Sequence, residues 1–371
     1  MSTTPKLLEL DHIPDGLLER PASTLYQQLK GPTLIHLEGR IKRPLFVSVL
    51  LHGNEVTGWE AIRRLLKNCY QHDDLPRSML ILIGNTQAAR HRLRHLDEQP
   101  DFNRCWPGGK SVDNQYARLF QSIHDRILQH QPLACIDIHN NTGLNPHYAA
   151  VNRIRPEYLH LASLFSPKVV YFTRPRGTLA HSFSKYFPAV TIECGQAGEI
   201  HGTEHSMDFL DTCLHLDGLS SAPPDPGMVH LFHMVATVNI AKDVLFGFGG
   251  VPVDLVLRED LDSLNFRELP AGTRFGEFHN GTIVPLIATD NSGRDITDNY
   301  FTFGRGRVET ARPIMPSMLT LDRRVIQQDC LCYLMERIHY QDHAQVSNRD
   351  LLPEGMQRTD TPGKLVANKY L

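Results

Sequence analysis

His52 and Glu55 lie three residues apart in His52-Gly-Asn-Glu55, directly after the mostly apolar run Phe46-Val-Ser-Val-Leu-Leu51. Imidazole nitrogen and carboxylate oxygen are both zinc ligands, held at about 2.0–2.2 Å, and catalytic zinc sites combine three protein ligands with one open position. The pair also suits a plainer role, with Glu55 as a carboxylate favoured by the dipole at a helix N-terminus and His52 as a turn residue. The choice between the two depends on what the rest of the chain brings to the same place.

Three further segments carry polar chemistry. In Cys135-Ile-Asp137-Ile-His139-Asn-Asn-Thr-Gly143 an apolar strand pattern again runs into a histidine followed by turn residues. Strand side chains alternate faces, so Asp137 and His139 point the same way. Asp137 can then orient a histidine or a neighbouring arginine, or the two can form a purely structural pair. Val190-Thr-Ile-Glu193-Cys-Gly195 ends another strand in a carboxylate. A glutamate there can carry protons in acid–base catalysis or simply cap a loop. Arg90, Arg92, Arg94, Asn103 and Arg104 gather around one loop, where guanidinium groups can clamp a carboxylate in a bidentate geometry. Arg90 and Arg92 are read as surface residues.

These residues need strands that end at one edge. Residues 33–37, 44–51, 79–83, 133–138, 168–172 and 189–192 read as extended. Residues 55–70, 113–130, 156–165, 177–186 and 204–216 read as helical. On this reading His52 ends a strand, Gly53 permits a sharp turn and Glu55 falls in the first helical turn. Alternating strands and helices predict an α/β sheet with helices on both faces, and such sheets bind ligands beyond the carboxyl ends of their strands. Residues 97–110 form a long irregular loop of the kind that carries function.

Composition changes at the Pro/Gly/Ser-rich stretch 218–227. The expected organisation is a catalytic domain at 1–217, a linker at 218–227, a smaller β-rich domain at 228–345 and a polar tail at 346–371. The β-rich part shows strand patterns at 229–238, 272–278, 282–287 and 304–309, and a mixed pattern at 322–338. The 371 residues carry a net charge of −3, which gives no reason to expect nucleic acid or membrane surface as partner. Seven cysteines suggest reduced thiols rather than a disulfide framework. The start of the chain has no charged-then-apolar signal pattern and no apolar run approaches 18 residues, so a cytoplasmic protein is expected.

His-Gly-Asn-Glu, Asp-Phe-Asn-Arg, Asp-Ile-His-Asn-Asn-Thr and Ile-Glu-Cys-Gly occur in the order, and at roughly the spacing, of the succinylglutamate desuccinylase/aspartoacylase family. That family belongs to the wider zinc carboxypeptidase superfamily, and the resemblance spans about residues 45–200. It implies a mixed sheet flanked by helices with a C-terminal β-rich domain, and one zinc ion per chain. By that resemblance His52, Glu55 and His139 match the zinc ligands and Glu193 the catalytic glutamate. Asn103 and Arg104 match the pair that holds the substrate carboxylate, and Arg94 the arginine that polarises the scissile carbonyl. The segment from Arg94 to Asp101 is two residues longer than in aspartoacylase. A further substrate arginine of aspartoacylase has no match in Ala180-His-Ser-Phe-Ser184, and Arg174 and Arg176 lie upstream. Tyr300 is the nearest candidate for the family's second-domain tyrosine. His147, His181 and His201 are assigned to hydrogen bonding rather than to a metal.

The expected activity is zinc-dependent hydrolysis of an amide bond, releasing the acyl group of a small N-acyl amino acid. A metallocarboxypeptidase trimming short peptides is the alternative. A non-catalytic metal-containing binding protein is the third reading, and the presence of both Glu193 and Arg94 argues against it.

Overall fold

Eleven strands of one sheet follow a single hydrogen-bonded path, and the functional edge lies near its middle. The computed structural model describes residues 6–109, 114–225, 227–250, 252–279, 284–338 and 340. The expected tail at 346–371 lies outside them, as do the N-terminal residue of the helix expected at 113–130 and the first two residues of the strand expected at 282–287.

The first part of the chain supplies β1 (Leu8–Leu10), β2 (Thr33–Leu37), β3 (Gly39–Val49), α1 (Thr57–Cys69), β4 (Leu75–Ile83) and α2 (Thr86–His91). Then come α3 (Gln115–His130), β5 (Ala134–Asn141), β6 (Tyr148–Val151), α4 (Pro156–Phe165), β7 (Lys168–Tyr171), α5 (Leu179–Phe183), β8 (Ala189–Gln196) and α6 (Ile200–Leu214). The order across the sheet is β1-β2-β4-β3-β5-β8-β6-β7, continued by β9 (His230–Ile240). β4, β3, β5 and β8 run parallel, β6 is antiparallel to β8, and β7 and β9 return to parallel pairing. The fold is therefore α/β with a large mixed sheet.

Strand periodicity explains both layers. Leu45, Val47 and Val49 of β3, with Ile136 and Ile138 of β5, pack under Trp59, Ile62 and Leu65 of α1 and Phe209 of α6. Phe46 and Cys135 point to the opposite face, where Phe120 of α3 and Phe183 of α5 cover them. Each such fully buried side chain contributes about 1.5–3 kcal/mol by leaving water. α1 lies so close to the sheet that a Cβ at Gly58 would sit 2.7 Å from Val49 Cγ1 and 3.0 Å from Ile138 Cβ.

The sheet continues across residues 218–227. Beyond β9 come β10 (Phe246–Phe248), β11 (Leu255–Leu257), β12 (Arg274–Phe278) and β13 (Leu286–Thr289). They are followed by β14 (Phe301–Gly304), β15 (Arg307–Thr310), β16 (Met315–Ser317) and β17 (Cys332–Ile338). β9, β17, β16 and β13 belong to the large sheet, whereas β10, β11, β12, β15 and β14 form a separate five-stranded one. The β-rich C-terminal part therefore splits its strands between two sheets. No described helix is long and apolar enough to cross a membrane.

Candidate metal centre and active-site cleft

β3 stops at Val49, earlier than its apolar run, because Leu50 turns into the left-handed region at φ 57°. Its carbonyl accepts from Asn85 N at 2.6 Å, so the chain leaves the sheet toward the start of α2. His52 thus sits in the turn rather than at the strand end. Glu55 precedes α1 by two residues instead of lying in its first turn, and Glu55 N donates to His52 O at 3.2 Å. Gly53 is needed for space rather than for a special φ: a Cβ there would lie 2.2 Å from Ala89 N. The Gly53 N–H donates to Arg94 O at 3.1 Å, which ties the turn to the next loop.

The opposite wall comes from β5 and β8. Their parallel register pairs Asp137 with Thr191 and His139 with Glu193. Because side chains alternate, the face that is apolar at Cys135 and Ala189 becomes polar at these residues toward the strand ends. His139 lies within β5 and Glu193 within β8; Glu193 has strand partners on both sides, His139 in β5 and Tyr148 in β6, whereas the pairing of β5 with β3 ends at Asp137.

Glu55 bridges the two histidines, with Oε1 2.8 Å from His52 Nδ1 and Oε2 2.6 Å from His139 Nδ1. Each imidazole turns its other nitrogen to an aspartate: His52 Nε2 is 2.9 Å from Asp101 Oδ1 and His139 Nε2 is 2.8 Å from Asp137 Oδ2. All three residues are at most 5% exposed. Burial and Arg94 depress the proton affinity of His52, but Glu55 and Asp101 outweigh them and leave it raised. Burial works the same way on His139 and is overcome by Asp137 and Glu55. Burial would raise Glu55, yet the two histidines hold it well below the usual carboxylate range.

This donor set fits a divalent metal. One nitrogen or oxygen from each of His52, Glu55 and His139 can be chosen with all three atoms within 4.8 Å of one another, and it is the one such cluster among the described residues. Two imidazoles and a carboxylate suit zinc, and a carboxylate on the far nitrogen of each imidazole is the arrangement that fixes tautomer and ring orientation at metal sites. Asp137 was expected in that role; Asp101 was not, although it stands in Asp101-Phe-Asn-Arg104.

Around this centre opens a cleft lined by Glu193, Arg94, Asn103 and Arg104 as well as the three candidate ligands. Burial pushes the Glu193 carboxyl up, partly countered by His139 and helped by Glu55, to about 7. Asn141 Nδ2 donates to Glu193 Oε2 at 2.9 Å and orients it. Arg94 holds Asp101 Oδ2 through Nε at 3.2 Å and Nη2 at 2.9 Å, and its Nη1 lies 3.5 Å from Glu55 Oε1. Asn103 is mostly committed to the protein, its Nδ2 donating to Asp137 Oδ2 at 3.2 Å and its Oδ1 accepting from Leu179 N at 3.0 Å. Its neighbour Arg104 faces the cleft, with Asp329 Oδ1 3.7 Å from Nη2.

Other sequence candidates separate clearly. Arg174 lines the cleft, whereas Arg176 lines a different hollow beside Arg153 and Lys185. Tyr300 is not among the cleft residues; it packs under Arg312 in the C-terminal part, and Tyr148 and Tyr333 are the tyrosines that line the cleft. Arg90 stacks over Tyr26 and Arg92 is the left-handed cap of α2. His147 and His201 stack on each other away from the centre, and His181 lines the hollow of Arg176. Asp329 was missed, since nothing near it in sequence ties it to residues more than two hundred positions earlier.

Residues 43–212 match the family model described as Succinylglutamate desuccinylase/Aspartoacylase catalytic domain. Among solved structures, the succinylglutamate desuccinylase of Chromobacterium violaceum is 16% identical with a TM-score of 0.52, over 80% of this chain and 85% of that one. The succinylglutamatedesuccinylase/aspartoacylase of Rhodobacter sphaeroides is 15% identical with a TM-score of 0.55, over 82% and 88%. Murine aminoacylase 3 is 15% identical with a TM-score of 0.52, over 81% and 96%. The structural likenesses establish a shared fold, of the zinc carboxypeptidase-like type. The stretch 43–212, a little under half of the chain, is thus similar in sequence to the catalytic domain of the succinylglutamate desuccinylase/aspartoacylase family.

Proposed function

We propose that this protein is a zinc-dependent hydrolase that removes the acyl group from a small N-acyl amino acid. The observation that carries the reading is the convergence of His52, Glu55 and His139 on one point of a cleft that also holds Glu193. His52, Glu55 and His139 would hold the zinc ion, which when bound supplies Lewis-acid chemistry, polarising a carbonyl and acidifying water. Glu193 takes the proton of the attacking water and delivers it to the amine nitrogen as the C–N bond breaks, a role suited to a carboxyl near neutrality. Arg94 offers its guanidinium to the developing oxyanion while Asp101 keeps it in place. Arg104 binds the substrate carboxylate. Asn103 lines the cleft beside it and also braces Asp137 and His139.

The deacylase reading is favoured over a carboxypeptidase by the cleft's far wall. Ser317, Met318, Asp329 and Tyr333 come from the C-terminal part of the chain and line the same cleft; on this reading they limit how far a longer peptide can extend. Seven free cysteines, six of them buried, support a reducing, cytoplasmic setting. Metal analysis of the purified protein and a panel of N-acyl amino acids and short peptides test the proposal. Bound zinc with turnover of the acyl amino acids is expected. A metal-free protein, or hydrolysis of the peptides alone, contradicts it.

A further inference from the structure

The cleft has two unlike halves. One carries the candidate ligands, Glu193 and the arginines. The other is walled by Tyr148, Val170, Phe172, Met234 and Met318. These side chains belong to an apolar cluster separate from both layers that flank the sheet. The Tyr148 hydroxyl donates to Met318 Sδ at 3.1 Å, a weak acceptor, so it is turned into the wall rather than toward a ligand. No charged side chain stands among these five. Methionine and aromatic surfaces of this kind bind apolar groups and adapt to their shape.

The remaining charges nearly cancel. Apart from the candidate ligands and Glu193, the described charged residues of the cleft are Arg94, Arg104, Arg174 and Asp329. Arg94 is matched by Asp101, 2.9 Å away. Asp329 lies 3.7 Å from Arg104 and 3.9 Å from Arg94, and offsets part of their charge. Arg174 has no hydrogen bond or ion pair among the described residues. Arg104 and Arg174 against Asp329 leave one positive charge, enough for one carboxylate and not for two.

We infer that the substrate is a monocarboxylate: an N-acyl amino acid with an aromatic or aliphatic side chain, not a derivative of aspartate or glutamate. Its carboxylate lies between Arg104 and Arg174, and its side chain lies against the Tyr148–Phe172–Met234 wall. This inference rests on the deacylase reading, since it concerns the same cleft.

Two measurements on the full chain test it. The first is kcat/KM of the zinc-loaded protein on N-acetyl-leucine, N-acetyl-phenylalanine, N-acetyl-aspartate and N-succinyl-glutamate. The second is calorimetric titration of metal-depleted protein with the same compounds. Burial of one apolar side chain corresponds to a preference of about 10- to 100-fold for the first two in both measurements. Equal or tighter binding of the acidic compounds overturns the inference. If no compound is hydrolysed, the deacylase reading falls, and the titration still decides the ligand class. Arg174→Gln is expected to weaken binding of every compound about 10-fold while leaving the ratio between them unchanged. Unchanged affinity in that variant removes Arg174 from the site. Phe172→Arg places a cation on the half-buried part of the wall and should shift the ratio toward N-acetyl-aspartate by at least about 10-fold. A ratio that stays put in a folded Phe172→Arg protein shows that the side chain lies elsewhere.

Discussion

Glu193 stands directly across the β5–β8 ladder from His139, as its register partner in the adjacent parallel strand. Register partners present their side chains on the same face, so a slip of one residue would send Glu193 into the layer under α1 and α6. The proposed proton carrier and a candidate metal ligand are therefore set by the same hydrogen bonds. Removing the Glu193 carboxylate should leave the metal untouched. Glu193→Gln is expected to lower kcat by about 10²–10⁴-fold with zinc content equal to that of wild type. Loss of zinc in parallel with activity would make Glu193 part of the binding site instead.

The acid side of the pH profile should report the same residue. Without a metal, burial pushes the Glu193 carboxyl up to about 7. A cation at His52, Glu55 and His139 favours the ionised form and lowers that value. Glu193 must be ionised to accept a proton, so kcat/KM should fall as pH drops, with a midpoint between an ordinary glutamate's 4.5 and 7. The residual activity of Glu193→Gln should lack this limb. A limb that persists unchanged in the variant belongs to another group.

Asp101 touches no candidate metal atom, yet it holds both His52 and Arg94. Burial would raise its pKa, but His52 and Arg94 keep it well below the usual range, so it stays charged. Asp101→Asn keeps the shape and removes the charge. Weaker orientation of His52 should cost about 10–100-fold in zinc affinity, measured by competition with a chelator. Unaltered affinity would reduce Asp101 to a partner of Arg94 alone.

Gly53 offers a steric test of the turn. A Cβ there would lie 2.2 Å from Ala89 N and 2.3 Å from Ala88 C, and the backbone on either side must shift. Gly53→Ala is expected to destabilise the protein by about 1–3 kcal/mol, read from urea unfolding with chelator present so that metal binding does not contribute. Gly304→Ala, where nothing lies within 4 Å of the added methyl, serves as the control. Equal midpoints for the two variants would contradict the close packing of the turn on α2.

By itself the sequence determined which side chains could carry the proposed chemistry. His52, Glu55, His139 and Glu193 are legible as polar residues where apolar strand runs break off, and their roles are implied by the resemblance of their motifs to one family. The pairing of Asp137 with His139 follows from the two-residue period of a strand. Other features depend on contacts between distant segments and have no local signal. The left-handed Leu50 moves His52 off the strand and Glu55 out of the helix, which a pattern of apolar residues cannot reveal. Only the tertiary structure decided that Asp101 is the partner of His52, that Asn103 braces Asp137 as well as lining the cleft, and that Arg174 lines it while Tyr300 does not. Residues 218–227 mark a change of composition but not of sheet, because β9 pairs with β7 and brings Met234 to the cleft. Pairing between strands some sixty residues apart is set by backbone hydrogen bonds, and composition carries no record of it. The far wall, and Asp329 with it, follows from that pairing.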